Sequence, residues 1–161
     1  MINAAEGPHG IVIRPMAPGE EPAVADLVMR TFQTFIGHEY EDRGVAEFAS
    51  YAAASALGDR TERGEAFTLV AVAGDDLAGM IEVRGIDYIS LLFVDARFQR
   101  RGIARALLEA ALDVLGEDRP PSMDVKSSRY AVEVYRSLGF EVSGPEQTVE
   151  GIIFIPMRRE P

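Results

Sequence analysis

A short segment near the middle of the chain combines the features of an anion site. Arg100, Arg101 and Arg105 place three cations around Gly102, directly after an apolar run that ends at Val94. A helical pattern begins at Gly102, and the first turn of a helix has unpaired N–H groups and a partial positive charge. Gly102 has no Cβ, so a bulky ligand can approach its backbone closely. These features predict a site for a phosphate or a diphosphate.

A plain strand-to-helix turn with a solvated basic patch would explain the same residues, because short glycine motifs often occur by chance. The segment is not a P-loop, since no Gly-Lys-Ser/Thr is present, and it lacks the glycines of a G-x-G-x-x-G dinucleotide site. Spacing alone therefore leaves the phosphate site and the plain turn both open.

Short strands and amphipathic helices alternate around this segment. We predict strands at 11–14, 67–73, 77–84, 88–94, 123–125, 140–142 and 152–157, and helices at 24–35, 45–55, 103–114 and 131–138. The run at 88–94 is apolar nearly throughout, which is typical of a central strand that is covered on both faces. This order predicts a single mixed α/β (α+β) domain over residues 11–158, after a loose tail over residues 1–10.

The composition excludes several classes of protein. The chain has 161 residues, no cysteine and a formal net charge of −10, so disulfides and thiolate sites are excluded and a nucleic-acid partner is disfavoured. The first residues do not resemble a secretory signal, and no apolar run reaches the ~20 residues that span a bilayer. We therefore expect a cytoplasmic protein without a membrane partner. Its acidity would either attract cationic ligands such as amines or only confer solubility.

Three segments resemble the GCN5-related N-acetyltransferase (GNAT) family. Residues 99–104, QRRGIA, match the family's pyrophosphate motif, Gln/Arg-x-x-Gly-x-Gly/Ala. The segment YAVEVYRSLGF at 130–140 looks like the one before the family's sixth strand, and 144–157 is similar to the tail of many bacterial members. The resemblance covers residues 11–157. It implies the family's fold, a single mixed, largely antiparallel sheet flanked by helices, and transfer of the acetyl group of acetyl-CoA to a primary amine by direct attack, without a metal.

The resemblance also implies roles for particular residues. Leu92, Phe93 and Val94 would form a strand that splays from its neighbour and binds the pantetheine arm through backbone groups. The pyrophosphate would be wrapped by the following loop and helix start, which consist of Arg100, Arg101, Gly102, Ile103, Ala104 and Arg105. Tyr135 would protonate the departing CoA thiolate, since an ordinary tyrosine pKa of about 10 is close to that of a thiol. Its place on the apolar stripe of a helix is also compatible with a core residue, but the resemblance favours the functional role.

One contact of the family is changed in this chain. Many members have an Asn shortly after the fifth strand that touches the bound cofactor, whereas Lys126, Ser127 and Ser128 occupy that stretch here. Ser127 or Ser128 would have to supply the equivalent hydrogen bond, and Ser128 is our candidate.

The amine must lose a proton before it attacks, and Glu82, in the strand before the splayed one, is the best-placed base. A surface carboxylate explains Glu82 as well, Asp124 and Glu39 are weaker candidates, and ordered water could carry the proton instead. The segment Phe35–Gly44 is expected to wall the acceptor pocket, where its carboxylates would suit a cation. The sequence leaves open whether the acceptor is a small molecule or a peptide, and whether the protein forms a homodimer.

A protein of another class would share part of this pattern. A non-catalytic module that binds acetyl-CoA or CoA as a sensor would keep the loop at 99–105 but would need neither a general acid nor an acceptor pocket. Tyr135 favours the enzyme, whereas the missing Asn favours the sensor.

Overall fold

The computed structural model describes residues 4–160 of the chain. The strands of this part are β1 (Ala5–Glu6), β2 (Val12–Pro15), β3 (Ala66–Ala73), β4 (Asp76–Arg84), β5 (Tyr88–Val94), β6 (Met123–Ser127), β7 (Glu141–Val142), β8 (Gln147–Val149) and β9 (Ile152–Arg159). The α-helices are α1 (Glu21–Phe35), α2 (Asp42–Ala52), α3 (Ala54–Glu62), α4 (Ile103–Leu115) and α5 (Val132–Ser137).

All these strands belong to one hydrogen-bonded sheet system, in the order β1-β2-β3-β4-β5-β6-β9-β7, with β8 paired to β9. Every pairing is antiparallel except the parallel one between β5 and β6. The predicted mixed, largely antiparallel sheet flanked by helices is therefore confirmed. The central position of β5 explains its apolar composition, because helices cover both faces of the sheet there.

Two apolar clusters fill the space between the sheet and its helices. Helix α4 buries Ile103, Leu107, Leu108, Ala111 and Leu112 against one face, at the spacing of a single helical stripe. On the other face, α1 buries Val24, Leu27 and Val28 in a cluster that α2 and α3 complete. The two clusters hold β4 and β5 between them, and these strands carry Glu82 and the predicted cofactor residues Leu92, Phe93 and Val94.

The β5–β6 pair is joined over a short distance only. Its register pairs Tyr88 with Asp124 and Ile89 with Val125, and β5 then continues to Val94 paired with β4 only. The remaining peptide groups of β5 consequently have no strand partner on the β6 side. An edge of this kind can pair with an extended ligand.

The helix predicted at 45–55 is in fact two helices. Ala53 has an extended backbone (φ −60°, ψ 146°) and separates α2 from α3, and α3 continues to Glu62, beyond the predicted end of the helix. Helix propensity cannot signal this break, because an Ala-rich run favours a continuous helix and tertiary packing overrides it. Ala52 and Leu57 on either side of the break are fully buried, so packing decides the turn.

The ends of the chain also differ from the prediction. Ala5–Glu6 pairs with β2 and Pro8–Gly10 forms a 3-10 turn, where a loose tail was expected. Residues 1–3 of that predicted tail lie outside the described part of the chain. Beyond the Gly144-Pro145 turn there is one strand more than expected, because Gln147–Val149 pairs with β9. None of the helices formed by residues 4–160 is long and apolar enough to cross a membrane.

Candidate active site

The loop between β5 and α4 has the backbone geometry of an anion site. Gly102 immediately precedes α4 with a left-handed backbone (φ 77°), and Arg100 is left-handed as well (φ 64°). The N–H of Ala106 donates to the Gly102 carbonyl (3.0 Å) at the start of α4, so the N–H groups before it are free of helical partners. Successive N–H groups in such a turn form a concavity that suits an anion. Glycine is required at 102 for its conformation as well as for close approach.

The buried carboxylate of Asp95 fixes the start of this loop. It accepts hydrogen bonds from Arg30 of α1 (2.7 Å) and from the backbone N–H of Arg97 (2.9 Å), while its own N–H donates to Ala78 of β4 (2.8 Å). Burial alone would raise the pKa of Asp95, but the hydrogen bonds from Arg30 and Arg97 outweigh it and lower the pKa to about 2. Asp95 was not among the residues predicted from the sequence, although an Asp directly after a strand is typical of a residue that holds a turn.

A cavity of about 440 Å³ runs from this loop along β5 towards α5. It is lined by most of the predicted cofactor residues, namely Leu92, Phe93, Val94, Arg100, Gly102, Ile103, Ala104 and Arg105. Arg101 is absent from the lining, and its guanidinium carbon lies 5.4 Å from the centre of the ring of Phe98, which does line the cavity. Arg105 also donates to the Ser137 carbonyl, which connects the start of α4 to the end of α5.

Residues outside the prediction close this cofactor cavity on the side of α1. The Tyr130 hydroxyl donates to Gln99 Oε1 (3.3 Å), and the Tyr130 ring stacks on Phe35 with 4.8 Å between ring centres. Gln99 Nε2 in turn donates to the Val94 carbonyl at the end of β5 (3.2 Å). Gln99 was part of the recognised motif, whereas nothing in the sequence indicated that Phe35 and Tyr130 would meet.

A second cavity, of about 330 Å³, lies on the other side of α5. Eight of its lining residues are aromatic, namely Phe32, Tyr40, Phe48, Tyr51, Tyr88, Phe93, Tyr135 and Phe154. Its charged residues are Glu47, Arg84, Lys126 and Glu150. We call this space the acceptor cavity. It joins helices α1 and α2 to the hairpin β8–β9, so residues far apart in sequence form its walls.

Tyr135 stands where the two cavities meet. It lines both of them, as do Ile36, Leu92, Phe93 and Ala131. Its ring packs edge-on against Phe140 (5.5 Å between centres), and its hydroxyl makes no hydrogen bond to any residue between 4 and 160. Burial raises the pKa of Tyr135 far above its usual value. The hydroxyl is therefore protonated at neutral pH and has a free hydrogen to donate, but its raised pKa makes it a weaker acid than the ordinary tyrosine that the sequence predicted.

Glu82 lies below the floor of the acceptor cavity and is fully buried. It accepts hydrogen bonds from Ser90 Oγ (2.6 Å), from the Tyr51 hydroxyl (2.8 Å) and from Arg60 Nε (3.0 Å). Ser90 and Tyr51 line the cavity, whereas Glu82 does not. The alternative of a surface carboxylate is thus wrong, and an amine in the cavity would communicate with Glu82 only through these hydroxyls.

A bulge in β5 explains why Ser90 reaches Glu82. Glu82 pairs with Leu91 and Val83 pairs with Ile89, so Ser90 has no partner residue in β4. A bulge of this kind locally disrupts the strand pairing and redirects a side chain, and it often lies beside an active site.

The remaining candidates lie outside the cofactor cavity. Ser128 lines the acceptor cavity, and its Oγ accepts a hydrogen bond from the N–H of Ala131 (3.1 Å) at the start of α5. Glu39 accepts from the N–H groups of Arg129 (2.9 Å) and Tyr130 (3.0 Å), and Asp124 is paired with Arg158 (2.8 Å). The carboxylates predicted to wall the acceptor pocket therefore do not line it. In the described residues, no three His, Asp or Glu side chains are grouped as a metal site would be.

Comparison with known proteins places this site in a family. The sequence model of the acetyltransferase (GNAT) domain matches residues 36–161. The chain belongs to the GNAT acetyltransferase family. As predicted, it is an acetyl-CoA-dependent acyltransferase. The comparison with curated protein sequences gives no match.

Solved GNAT structures share the fold. A GCN5-related N-acetyltransferase from Rhodopseudomonas palustris superposes with a TM-score of 0.79 at 17% identity, over 100% of this chain and 99% of its own. The PaiA N-acetyltransferase of Thermoplasma acidophilum, in complex with coenzyme A, has a TM-score of 0.76 at 17% identity, over 94% and 99%. A GNAT acetyltransferase from Elizabethkingia anophelis with acetyl-CoA bound has a TM-score of 0.61 at 14% identity, over 95% and 99%.

Proposed function

We propose that the protein moves the acetyl group of acetyl-CoA to a primary amine by direct attack, with Tyr135 as the general acid. The observation that carries this proposal is the position of Tyr135 in the walls of both cavities. A thioester held along β5 in one cavity and an amine in the other would meet beside its hydroxyl.

The residues of the cofactor cavity fit a CoA thioester. Arg100 and Arg105 and the free N–H groups before α4 suit a diphosphate. The unpaired edge of β5 beyond Ile89 suits the amide groups of a pantetheine arm, which would extend the sheet as a strand does. Ser128 stays a predicted contact near the thioester, reached from the acceptor side.

The proton movements follow from the geometry of Tyr135 and Glu82. The amine nitrogen forms a bond to the carbonyl carbon, the carbon–sulfur bond breaks, and the thiolate takes the Tyr135 proton. The proton lost by the amine would leave towards Glu82 through Ser90 Oγ or ordered water, so Glu82 is a positioning residue and a distant proton acceptor.

A cavity beside the acid favours this enzyme over the non-catalytic sensor, which would need neither. The test is to incubate the protein with acetyl-CoA and a library of primary amines, and to follow CoA release and N-acetyl products by mass spectrometry. We expect product with at least one amine and little CoA release without an amine. Tight acetyl-CoA binding in calorimetry without any product would instead support the sensor.

A further inference from the structure

Two cations in the acceptor cavity have no carboxylate partner. Arg84 and Lys126 line the cavity, yet neither forms an ion pair with any residue in the described range 4–160. Nine other arginines in the same range lie within 4.0 Å of a carboxylate. Lys126 is also the only lysine of a chain that carries 26 acidic residues. Two unpaired cations that share one cavity of such a chain point to an anionic ligand group.

The sheet places both cations on the same face, on the two strands that flank Tyr88. Arg84 pairs with Tyr88 and Tyr88 pairs with Asp124, and Lys126 lies two residues further along β6 on the same face. Strand spacing puts the Cα atoms of Arg84 and Lys126 about 12 Å apart, a separation that two long side chains can bridge through one anion. The Arg84 guanidinium lies 5.7 Å from the Tyr51 ring centre, and Lys126 Nζ lies 5.0 Å from that of Phe154.

The acidic residues nearby do not neutralise these cations. Asp124 is paired with Arg158, and Glu82 is buried against Arg60. Glu150 lines the cavity but lies 3.5 Å from Arg43. Among the lining carboxylates, only Glu47 has no ion pair to a described residue. One unpaired carboxylate therefore faces two cations that have no ion pair to a described residue. The local charge is therefore positive in a protein whose net charge is −10.

The distance between these cations and the reaction centre sets the length of the ligand. Leu92 lies at the junction of the cavities. Measured along β5, its Cα is about 7 Å from that of Ser90 and about 13 Å from that of Tyr88. Lys126 stands level with Ser90 in the sheet register and Arg84 with Tyr88. Aromatic rings line the space in between, so it suits an apolar and preferably flat body.

We propose that the acceptor is a small molecule with a primary amine at one end of an apolar body and a carboxylate at the other, bound by Arg84 and Lys126. This inference rests on the proposed function, because it assigns the substrate class of that same site. It differs from the cationic acceptor that the acidic loop at 35–44 suggested. An amine attached to the same carbon as the carboxylate would hold the two groups too close together to span the cavity.

The test compares acceptors that differ only in charge at the far end. We would measure kcat/KM for 4-(aminomethyl)benzoate and for its neutral amide, 4-(aminomethyl)benzamide. The parent protein should prefer the carboxylate by about tenfold or more, as expected for a hydrogen bond between charged groups. Arg84→Gln and Lys126→Met should each lower kcat/KM for the carboxylate about tenfold. Each should change kcat/KM for the amide by less than about twofold. Both side chains are exposed, so folding should be retained, with circular dichroism as the check.

Glu47→Gln is the matched control, since it removes a charge of opposite sign from the same cavity. Glu47→Gln should leave kcat/KM for the carboxylate acceptor unchanged or raise it. Equal use of the carboxylate and the amide by the parent, or unchanged preference in both cation variants, would overturn the inference. A better rate with 4-(aminomethyl)benzylamine that is lost in Glu47→Gln would overturn it too, in favour of a dication, while the proposed function would stand. If no amine is acetylated although acetyl-CoA binds, both proposals fail.

Discussion

Gly102 combines a left-handed backbone with a position in the wall of the cofactor cavity. We expect Gly102→Glu to abolish acetyl-CoA binding in calorimetry, because a side chain there would fill the anion site and add a negative charge. The left-handed backbone (φ 77°) adds a strain of about 1–2 kcal/mol to any such variant.

Gly64→Glu separates these two effects. Gly64 is also left-handed (φ 71°), nothing lies within 4 Å of its missing Cβ, and it is in the turn between α3 and β3, outside the cofactor cavity. It should lose comparable stability yet bind acetyl-CoA with the parent affinity. If folded Gly102→Glu binds acetyl-CoA as tightly as Gly64→Glu does, the diphosphate site is assigned to the wrong loop.

The Tyr135 hydroxyl can be removed with little change in packing. Tyr135→Phe keeps the edge-on contact with Phe140 and takes away only the proton donor. We expect kcat to fall by about 10²–10⁴-fold, as is typical for loss of a general acid, with little change in acetyl-CoA affinity. Tyr130→Phe removes another hydroxyl from the cofactor cavity and should change kcat by less than about twofold. Near-normal turnover of Tyr135→Phe would make Tyr135 a core residue only.

At the scale of elements, one close approach joins helix α2 to the hairpin β8–β9. A Cβ on Gly44 would lie 2.0 Å from the Gly151 carbonyl oxygen, and the N–H of Glu41 donates to that same oxygen (3.1 Å). The hairpin turn has left-handed residues at Glu150 (φ 53°) and Gly151 (φ 81°), as a two-residue type I′ turn requires. This contact closes the acceptor cavity between Glu47 and Glu150.

We therefore predict that Gly44→Ala opens the acceptor cavity. The methyl group cannot fit unless α2 and the hairpin move apart, so the free energy of unfolding should fall by about 3 kcal/mol, at the upper end of overpacking costs. The KM for the amine should rise several-fold, whereas acetyl-CoA affinity should stay near the parent value. Urea unfolding and steady-state kinetics would measure both.

Gly58→Ala is the control for this substitution. Gly58 lies inside α3, where a Cβ would meet Glu21 Cγ at an ordinary 3.6 Å. It should raise the free energy of unfolding by about 0.5–1 kcal/mol, since Ala is the better helix former. A Gly44→Ala protein as stable as Gly58→Ala, with an unchanged amine KM, would mean that the contact does not shape the cavity.

At the scale of the whole molecule, four of the five tyrosines line the acceptor cavity. Burial raises the pKa of Tyr40 and of Tyr51 to about 12, and it also raises the pKa of Tyr88 and Tyr135. In the unfolded chain these hydroxyls ionise near pH 10. Above pH 10 the unfolded state therefore loses protons first, and stability falls as pH rises; below pH 10 their contribution is constant.

We predict that the free energy of unfolding falls steeply between pH 10 and pH 12, by up to about 1.4 kcal/mol per pH unit for each tyrosine. Urea unfolding at a series of pH values measures this slope, and absorbance near 295 nm follows the ionisation itself. The chain has one lysine, so few other groups titrate in this range. Tyr40→Phe should reduce the slope. A flat stability profile up to pH 12 would mean that the cavity tyrosines are not shielded from water.

Local chemistry was readable from the sequence alone. The arginines around Gly102, the strand before them and the helix after them are contiguous, so their types predict an anion site without distant partners. The strands and most helices followed from apolar periodicity, because period 2 and period 3.6 are local properties. The role of Tyr135 beside the thiolate was predicted from resemblance to the family and not from the residues themselves. It is the junction of the cavities that makes this role geometrically reasonable.

Tertiary structure alone decided what surrounds these groups. Glu82 is buried because Arg60 and Tyr51 fold over it from helices, and Arg101, unlike Arg100 and Arg105, does not line the cofactor cavity. The break at Ala53 has no sequence signal, since packing overrides helix propensity. The acceptor cavity draws residues from Phe32 to Phe154, so its aromatic walls and its two cations without an ion pair to residues 4–160 exist only once distant elements have packed together.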